Sequence, residues 1–145
     1  MTRTDTPVLL LTGPPRHGVA RYAADLAAHV RALDAGTRVL RVDDPRDLPG
    51  AAAGAGRAHL HVTDRLLAAS PDAAADLVER LAAACCLTVT LHDVPQESDG
   101  PRNLPRRSAA YARVAAAAAG VAVNSRHEAL LLAEHGVLAA GRAHV

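Results

Sequence analysis

The chain of 145 residues has no phenylalanine, no tryptophan and two tyrosines. Planar side chains on which unpaired bases stack are therefore almost missing, and a formal charge of +1 supplies no electrostatic footprint for a phosphate backbone. Together these absences exclude nucleic acid as a partner. No apolar run reaches the roughly 18 residues that a membrane-spanning helix needs. The start, Met1 to Pro7, is polar and lacks the apolar segment of a secretory signal, so the expected location is the cytoplasm. Lysine is absent as well, and the prevalence of arginine and alanine reads as genome composition rather than chemistry. The only cysteines, Cys85 and Cys86, are neighbours, a spacing that suits neither a structural disulfide nor Cys-x-x-Cys redox or zinc chemistry. Two small buried thiols at a helix end are expected there.

Half of the residues are hydrophobic. A domain of this length buries roughly 68–70% of the surface its unfolded chain exposes, so residues 1–145 can form one domain without disulfides or a metal. The apolar pattern alternates between short continuous runs and helical spacing, the signal for alternating strands and helices. Strands are expected at 8–12, 38–42, 58–62, 87–91 and 121–123. Between the first two, Val19, Tyr22, Leu26, Val30 and Leu33 recur at spacings of three and four, a stripe on a helix that Gly36 ends. Residues 43–57, rich in Pro and Gly, read as a flexible loop. Ser70-Pro71 caps a helix carrying Ala74, Leu77, Leu81 and Ala84, and Pro105 opens another through Tyr111 to Gly120. Ser125 and Glu128 form a capping box ahead of a helix over 129–135, and residues 142–145 look like a further strand beginning. Near-continuously apolar strands alternating with helices imply a Rossmann-like α/β fold, a mostly parallel sheet covered by helices on both faces.

In such a sheet ligands bind outside the carboxyl ends of the strands. Gly13, Arg16, His17 and Gly18 stand there after the first strand, His61, Thr63, Asp64 and Arg65 after the third, His92 and Asp93 after the fourth, and Asn124, Ser125 and Arg126 after the fifth. The loop Gly13-Pro-Pro-Arg-His-Gly18 has the glycine spacing of a P-loop but lacks its lysine and hydroxyl, which removes the ATPase or GTPase reading. What remains is backbone amides at a helix N-terminus that favour an anion or a hydroxyl-rich group, or a simple tight turn. His59 and His61 share one face of a strand and could bind a metal, yet no third ligand is evident, so packing or hydrogen bonding is the expected role. His92 ends a buried strand at the crevice, where imidazole can hydrogen-bond a sugar hydroxyl or take its proton, or simply bond the loop backbone. Arg102, Arg106, Arg107 and Arg113 cluster at a helix start, where they oppose the dipole; they suit a substrate phosphate, an anionic membrane surface touched peripherally, or plain solvent.

Three stretches carry a family resemblance: His17-Gly-Val-Ala-Arg-Tyr22, Thr90-Leu-His-Asp-Val-Pro95 and Gly120-Val-Ala-Val-Asn-Ser125, each in a matching place, with Val62-Thr-Asp-Arg-Leu66 where a polar loop belongs. In that order they resemble the N-terminal domain of GT-B glycosyltransferases of the group 1, family 4 type, over nearly the whole chain. The resemblance implies transfer of a hexose from a nucleoside diphosphate sugar, usually with retention and without a metal or other cofactor. It implies that this domain holds the sugar acceptor, that Gly18 approaches the donor, that His92 contacts the transferred sugar as the catalytic candidate, and that Ser125 and Arg126 form the cleft wall. His17 stands where many members have a second glycine. His17, Gly18, Arg21, Asp64, Asp93, Ser125 and Arg126 are the substrate-binding candidates. The family's acidic pair and its donor-binding domain are not found in these residues, so the expectation is a truncated or split enzyme, inactive alone and partnered by a donor domain, with self-association through uncovered apolar surface. The alternatives are a non-catalytic α/β binding or partner domain and, less well supported, a stand-alone enzyme using His92 and Asp93.

Overall fold

The computed structural model describes residues 7–145; the polar start, apart from Pro7, lies outside the described residues. Five strands, β1 (Val8–Thr12), β2 (Arg38–Val42), β3 (Arg57–Val62), β4 (Cys86–Leu91) and β5 (Gly120–Ala122), form one all-parallel sheet in the order β2-β1-β3-β4-β5. The fold is α/β and Rossmann-like. Among the described residues no helix is long and apolar enough to cross a membrane. Because β2 and β3 lie on opposite sides of β1, the direction of winding reverses there. This is the switch point at which doubly wound sheets open a crevice.

One sheet face carries α2 (Leu48–Ala51), α4 (Pro71–Ala84) and α5 (Gly100–Ala117), and between them and the strands lies the main core, including Leu10, Leu60, Val78, Leu81, Val89 and Val114. A short helix, α3 (Asp64–Leu67), follows β3, and α6 (Arg126–Glu134) adds Leu132 to this core. On the opposite face α1 (Gly18–Leu33) packs through Ala23 and Ala27 against Leu11, flanked by Leu9 and Val39. Three of the five residues of the stripe expected to be buried on α1 face outward, Tyr22 being 47%, Leu26 39% and Leu33 90% exposed, while Val19 and Val30 are half-buried. Alanine at 20, 23 and 27 repeats at the same helical spacing and brings the helix close to the sheet, so the small residues turn inward.

Four further differences have local causes. Residues 43–57 are not a featureless loop, because Asp44 accepts the N–H of Arg46 at 2.9 Å, caps the 3-10 turn Pro45–Asp47 and delivers Leu48 and Ala52 into the core, both fully buried. The helix assigned to Pro105 begins at Gly100, and Pro105 lies inside it near its exposed end. Cys85 ends α4 half-buried while Cys86 opens β4 exposed, so the two thiols do not share a buried site. The tail contributes a single parallel bridge, in which the His144 N–H donates to Val121 O at 2.9 Å and the Val123 N–H to His144 O at 2.9 Å.

The arginine cluster also resolves differently from expectation. Arg107 is buried, not a surface cation, and therefore cannot join Arg102 and Arg106 in contacting a membrane or a phosphate from outside. Its guanidinium bonds Asp64 at 3.0 Å and Asp99 at 2.7 Å. Arg113 bonds Glu79 and Asp76 across the α4–α5 seam, and Arg106 lies 3.5 Å from Asp72.

Candidate functional site

The crevice is built at the carboxyl edge over β1, β3, β4 and β5. Gly18 and Val19 begin α1, His92 follows β4, Asn124 follows β5, and Tyr22 leans over from the second turn of α1. These five residues line an open hollow of about 530 Å³. Gly18 has open space where a Cβ would stand, so its backbone is accessible. Behind the hollow, β3 alternates: Ala58, Leu60 and Val62 enter the main core, which sends His59 and His61 to the other face, beside Thr88 and Thr90 of β4.

The result is a file of imidazoles. The Asn124 side-chain nitrogen lies 3.3 Å from His92 Nδ1, and His92 Nε2 lies 2.9 Å from His61 Nδ1. The His61 ring meets His59 edge-on with centroids 5.1 Å apart, and Tyr22 packs edge-on to His61 and His92 at 5.5 and 5.3 Å. Thr88 donates its hydroxyl to Ala58 O at 3.4 Å, so it accepts the proton of His59 Nδ1 at 2.8 Å, and Thr90 then donates to His59 Nε2 at 3.0 Å. Both nitrogens of His59 are thereby occupied, and the His59–His61 pair serves hydrogen bonding rather than a metal. Among the described residues the one grouping suited to a cation is Glu97, Glu134 and His135, whose ligand atoms lie within 4.8 Å of one another and none of which lines the hollow.

Burial pushes all three imidazoles towards the neutral form. His61 falls to about 3, by burial and then by the neighbouring His59 and His92. His59 is lowered by burial and then by His92; His92 is lowered by burial, with Glu128 opposing. At neutral pH the file is uncharged, and none of the residues that line the hollow carries a charge.

A second network holds His92 from below. Asp93 adopts φ +46°, a left-handed turn that aspartate tolerates better than most residues. Arg107 Nη2 donates to Asp93 O at 2.5 Å, and the Tyr111 hydroxyl, which accepts the Asp64 N–H at 3.3 Å, donates to His92 O at 3.1 Å. Burial disfavours the Arg107 charge, but the bonds to Asp64 and Asp99 outweigh it and raise its pKa; burial and the Asp64 charge push Tyr111 up to about 12. Charged guanidinium and neutral phenol are the states these bonds require.

Of the residues singled out in the sequence, Gly18 and His92 line the hollow. His17 caps α1, its Nδ1 accepting the Val19 N–H at 3.2 Å, and Ser125 caps α6, its hydroxyl accepting the Glu128 N–H at 3.2 Å. Arg21 and Arg126 are exposed beside the hollow without lining it. Asp64 is buried and tied to Arg107, lining a separate hollow of about 300 Å³ with Ser70 and Asn103. Asp93 contributes its backbone turn, its carboxylate being half-exposed 3.4 Å from Arg107. Tyr22 and Asn124, which stand in the stretches of the resemblance, in the apolar stripe of α1 and at the end of β5 respectively, were not among the substrate-binding candidates, yet both line the hollow. The period-two placement of His59, His61, Thr88 and Thr90 is the signal that marks a polar half-face of the sheet. No protein-family model matches this chain, and no curated protein matches it.

Proposed function

We propose that the chain is the acceptor-side half of a sugar-nucleotide-dependent glycosyltransferase of GT-B type, transferring a hexose with retention. The observation that carries this reading is the chemistry of the hollow at the switch point. A tyrosine edge, a neutral imidazole, a carboxamide and an open glycine backbone offer apolar contact and hydrogen bonds but no charge. That set suits a neutral, hydroxyl-rich ring. No arginine or lysine lines the hollow, so a diphosphate would find no counter-charge there beyond the N-terminus of α1, and the donor's nucleotide belongs on a second domain facing this one. In the reaction the bond from the sugar's anomeric carbon to the diphosphate oxygen breaks. The acceptor oxygen bonds that carbon, and the acceptor's proton leaves with the nucleoside diphosphate. His92 contributes a neutral imidazole to a sugar hydroxyl at the cleft.

The test is release of nucleoside diphosphate from uridine and guanosine diphosphate hexoses by the two-domain enzyme, with calorimetric titration of this chain alone and with its donor domain. His92→Ala is expected to lower turnover at least about tenfold. Near wild-type turnover would refute the role. Tight binding of a nucleotide sugar by this chain alone would show that the nucleotide site has been misplaced.

A second reading, a non-catalytic partner domain, draws on the exposed Tyr22, Leu26 and Leu33 of α1. It predicts that no combination of domains consumes a nucleotide sugar, while charge substitutions at Leu26 and Leu33 abolish association with the partner.

A further inference from the structure

Resting on the reading of the hollow as a sugar site, one feature of the imidazole file decides which functional group that site takes. His92 has no free ring nitrogen: Nδ1 faces the Asn124 amide at 3.3 Å and Nε2 faces His61 Nδ1 at 2.9 Å. A neutral imidazole carries one proton, so its two bonds run in opposite senses. With the amide N–H of Asn124 donating to Nδ1, the proton of His92 sits on Nε2 and is donated to His61. His61 is buried and braced by Tyr22 on one side and His59 on the other, and His59 is itself pinned by Thr88 and Thr90. At the other end Asn124 is exposed and lines the hollow, while its backbone N–H is anchored to Glu128 Oε2 at 2.7 Å. The inner bond is thus short and enclosed, and the outer one long and open to displacement.

We propose that His61 is a positioning and specificity-determining residue: by taking the Nε2 proton of His92 it leaves Nδ1 a bare acceptor beside the Asn124 amide donor, a pair that takes a neutral hydroxyl and turns away an anionic oxygen. A hydroxyl entering the hollow displaces the Asn124 bond, donates its proton to Nδ1 and accepts the amide N–H once the Asn124 side chain has swung aside. An anionic oxygen has no proton to give and meets the lone pair of Nδ1. An ammonium satisfies Nδ1 but leaves the amide N–H without an acceptor. A buried polar group left unpaired is a strong source of discrimination, worth more than the bond itself.

The experiment is nitrogen-15 NMR of the histidine rings in the whole chain at neutral pH, with glycerol and sulfate, an anion that carries no proton at this pH, as the two probes at matched ionic strength. His92 is expected to be protonated at Nε2 and bare at Nδ1, and glycerol to shift the Nδ1 resonance while sulfate leaves it unmoved. His61→Gln, whose side-chain oxygen can still accept the Nε2 proton, retains this signature. His61→Leu gives a mixture of the two tautomers and loses the preference for glycerol. Asn124→Asp moves the proton to Nδ1, since a carboxylate can only accept. His92 protonated at Nδ1 in the unaltered chain, an unchanged tautomer in His61→Leu, or an equal response to sulfate would overturn the proposal. The transferase reading fails separately: the expected tautomer and glycerol shift, with no hexose transfer by the two-domain enzyme, would sink that reading alone. Hexose transfer with His92 protonated at Nδ1 would sink this proposal alone.

Discussion

At the scale of single residues the site depends on groups held in states that water would not favour. His61 has its ordinary value of 6.5 lowered to about 3, by burial first and by the neighbouring imidazoles second. Between those two values the unfolded chain binds a proton that the folded chain does not, so the stability His61 contributes is complete above pH 6.5 and is lost as pH falls through that window. Unfolding free energies from urea denaturation through the acid range should fall for the parent chain and fall less steeply for His61→Gln, by up to about 1.4 kcal/mol per pH unit. Identical slopes would mean that His61 is not a neutral buried group. His59 and His92 are lowered in the same direction, so some acid sensitivity remains in the variant. Gly13 is a second such residue, at φ +92°, and a Cβ there would lie 2.2 Å from Leu66 Cδ1 and 3.1 Å from its Cγ. The leucine tip can move, but the left-handed backbone cannot be relieved, so Gly13→Ala should cost about 1–3 kcal/mol by urea denaturation. A neutral substitution would show that the turn relaxes.

At the scale of elements, α1 and the β4–α5 connection carry the predictions. Helix α1 is packed through alanines and exposes its larger apolar residues, the reverse of what side-chain size alone would suggest. Ala27→Glu should therefore unfold the chain or destabilise it severely, by placing a charge against Leu11, whereas Leu33→Glu should change stability by no more than about 0.5 kcal/mol. Thermal melts of the pair decide the matter, and an equal loss in both would restore the stripe read from the sequence. The β4–α5 connection rests on Arg107, whose side chain is 6% exposed and bonded to Asp64, itself 7% exposed. Arg107→Leu leaves that carboxylate buried without its partner and should cost about 3–5 kcal/mol. Chemical denaturation measures the loss, and retention of parent stability would show that solvent reaches Asp64. The same substitution removes the bond to Asp93 O, so the turn that aims His92 loosens with it.

At the scale of the whole molecule, the sheet is protected unevenly. The central strands β1, β3 and β4 are hydrogen-bonded on both sides, while β2 and β5 lie at the edges and the tail adds one bridge beyond β5. Amide exchange should be slowest in β1, β3 and β4, faster in β2 and β5, and fastest in residues 142–145. Protection of the tail equal to that of β4 would imply that something covers that edge. The helical layers are unequal too: among the described residues α2, α4 and α5 share one face, whereas α1 alone packs on the other. His59 and Thr88 on that second face keep partial or full exposure, which is why a polar file can run across the sheet to the crevice.

By itself the sequence determined the strand and helix alternation, the parallel α/β class and the strand ends at which Gly18 and His92 stand, because apolar period and turn chemistry are local properties of the chain. Helix caps at Ser70 and Ser125 were legible for the same reason. What tertiary structure decided is which of two plausible faces turns inward and which polar groups meet. The alanine face of α1 won over its larger stripe because close approach to the sheet, not side-chain size, sets the packing distance. His61, brought to 2.9 Å from His92 by the pairing of β3 with β4, acquires its role only from that register. Arg107 is separated from Asp64 by 43 residues, and no reading of a local charge cluster could show that its guanidinium is buried against that carboxylate. Short-range pattern is written in the order of residues, whereas partnership between distant polar groups exists only once the sheet has brought their strands together.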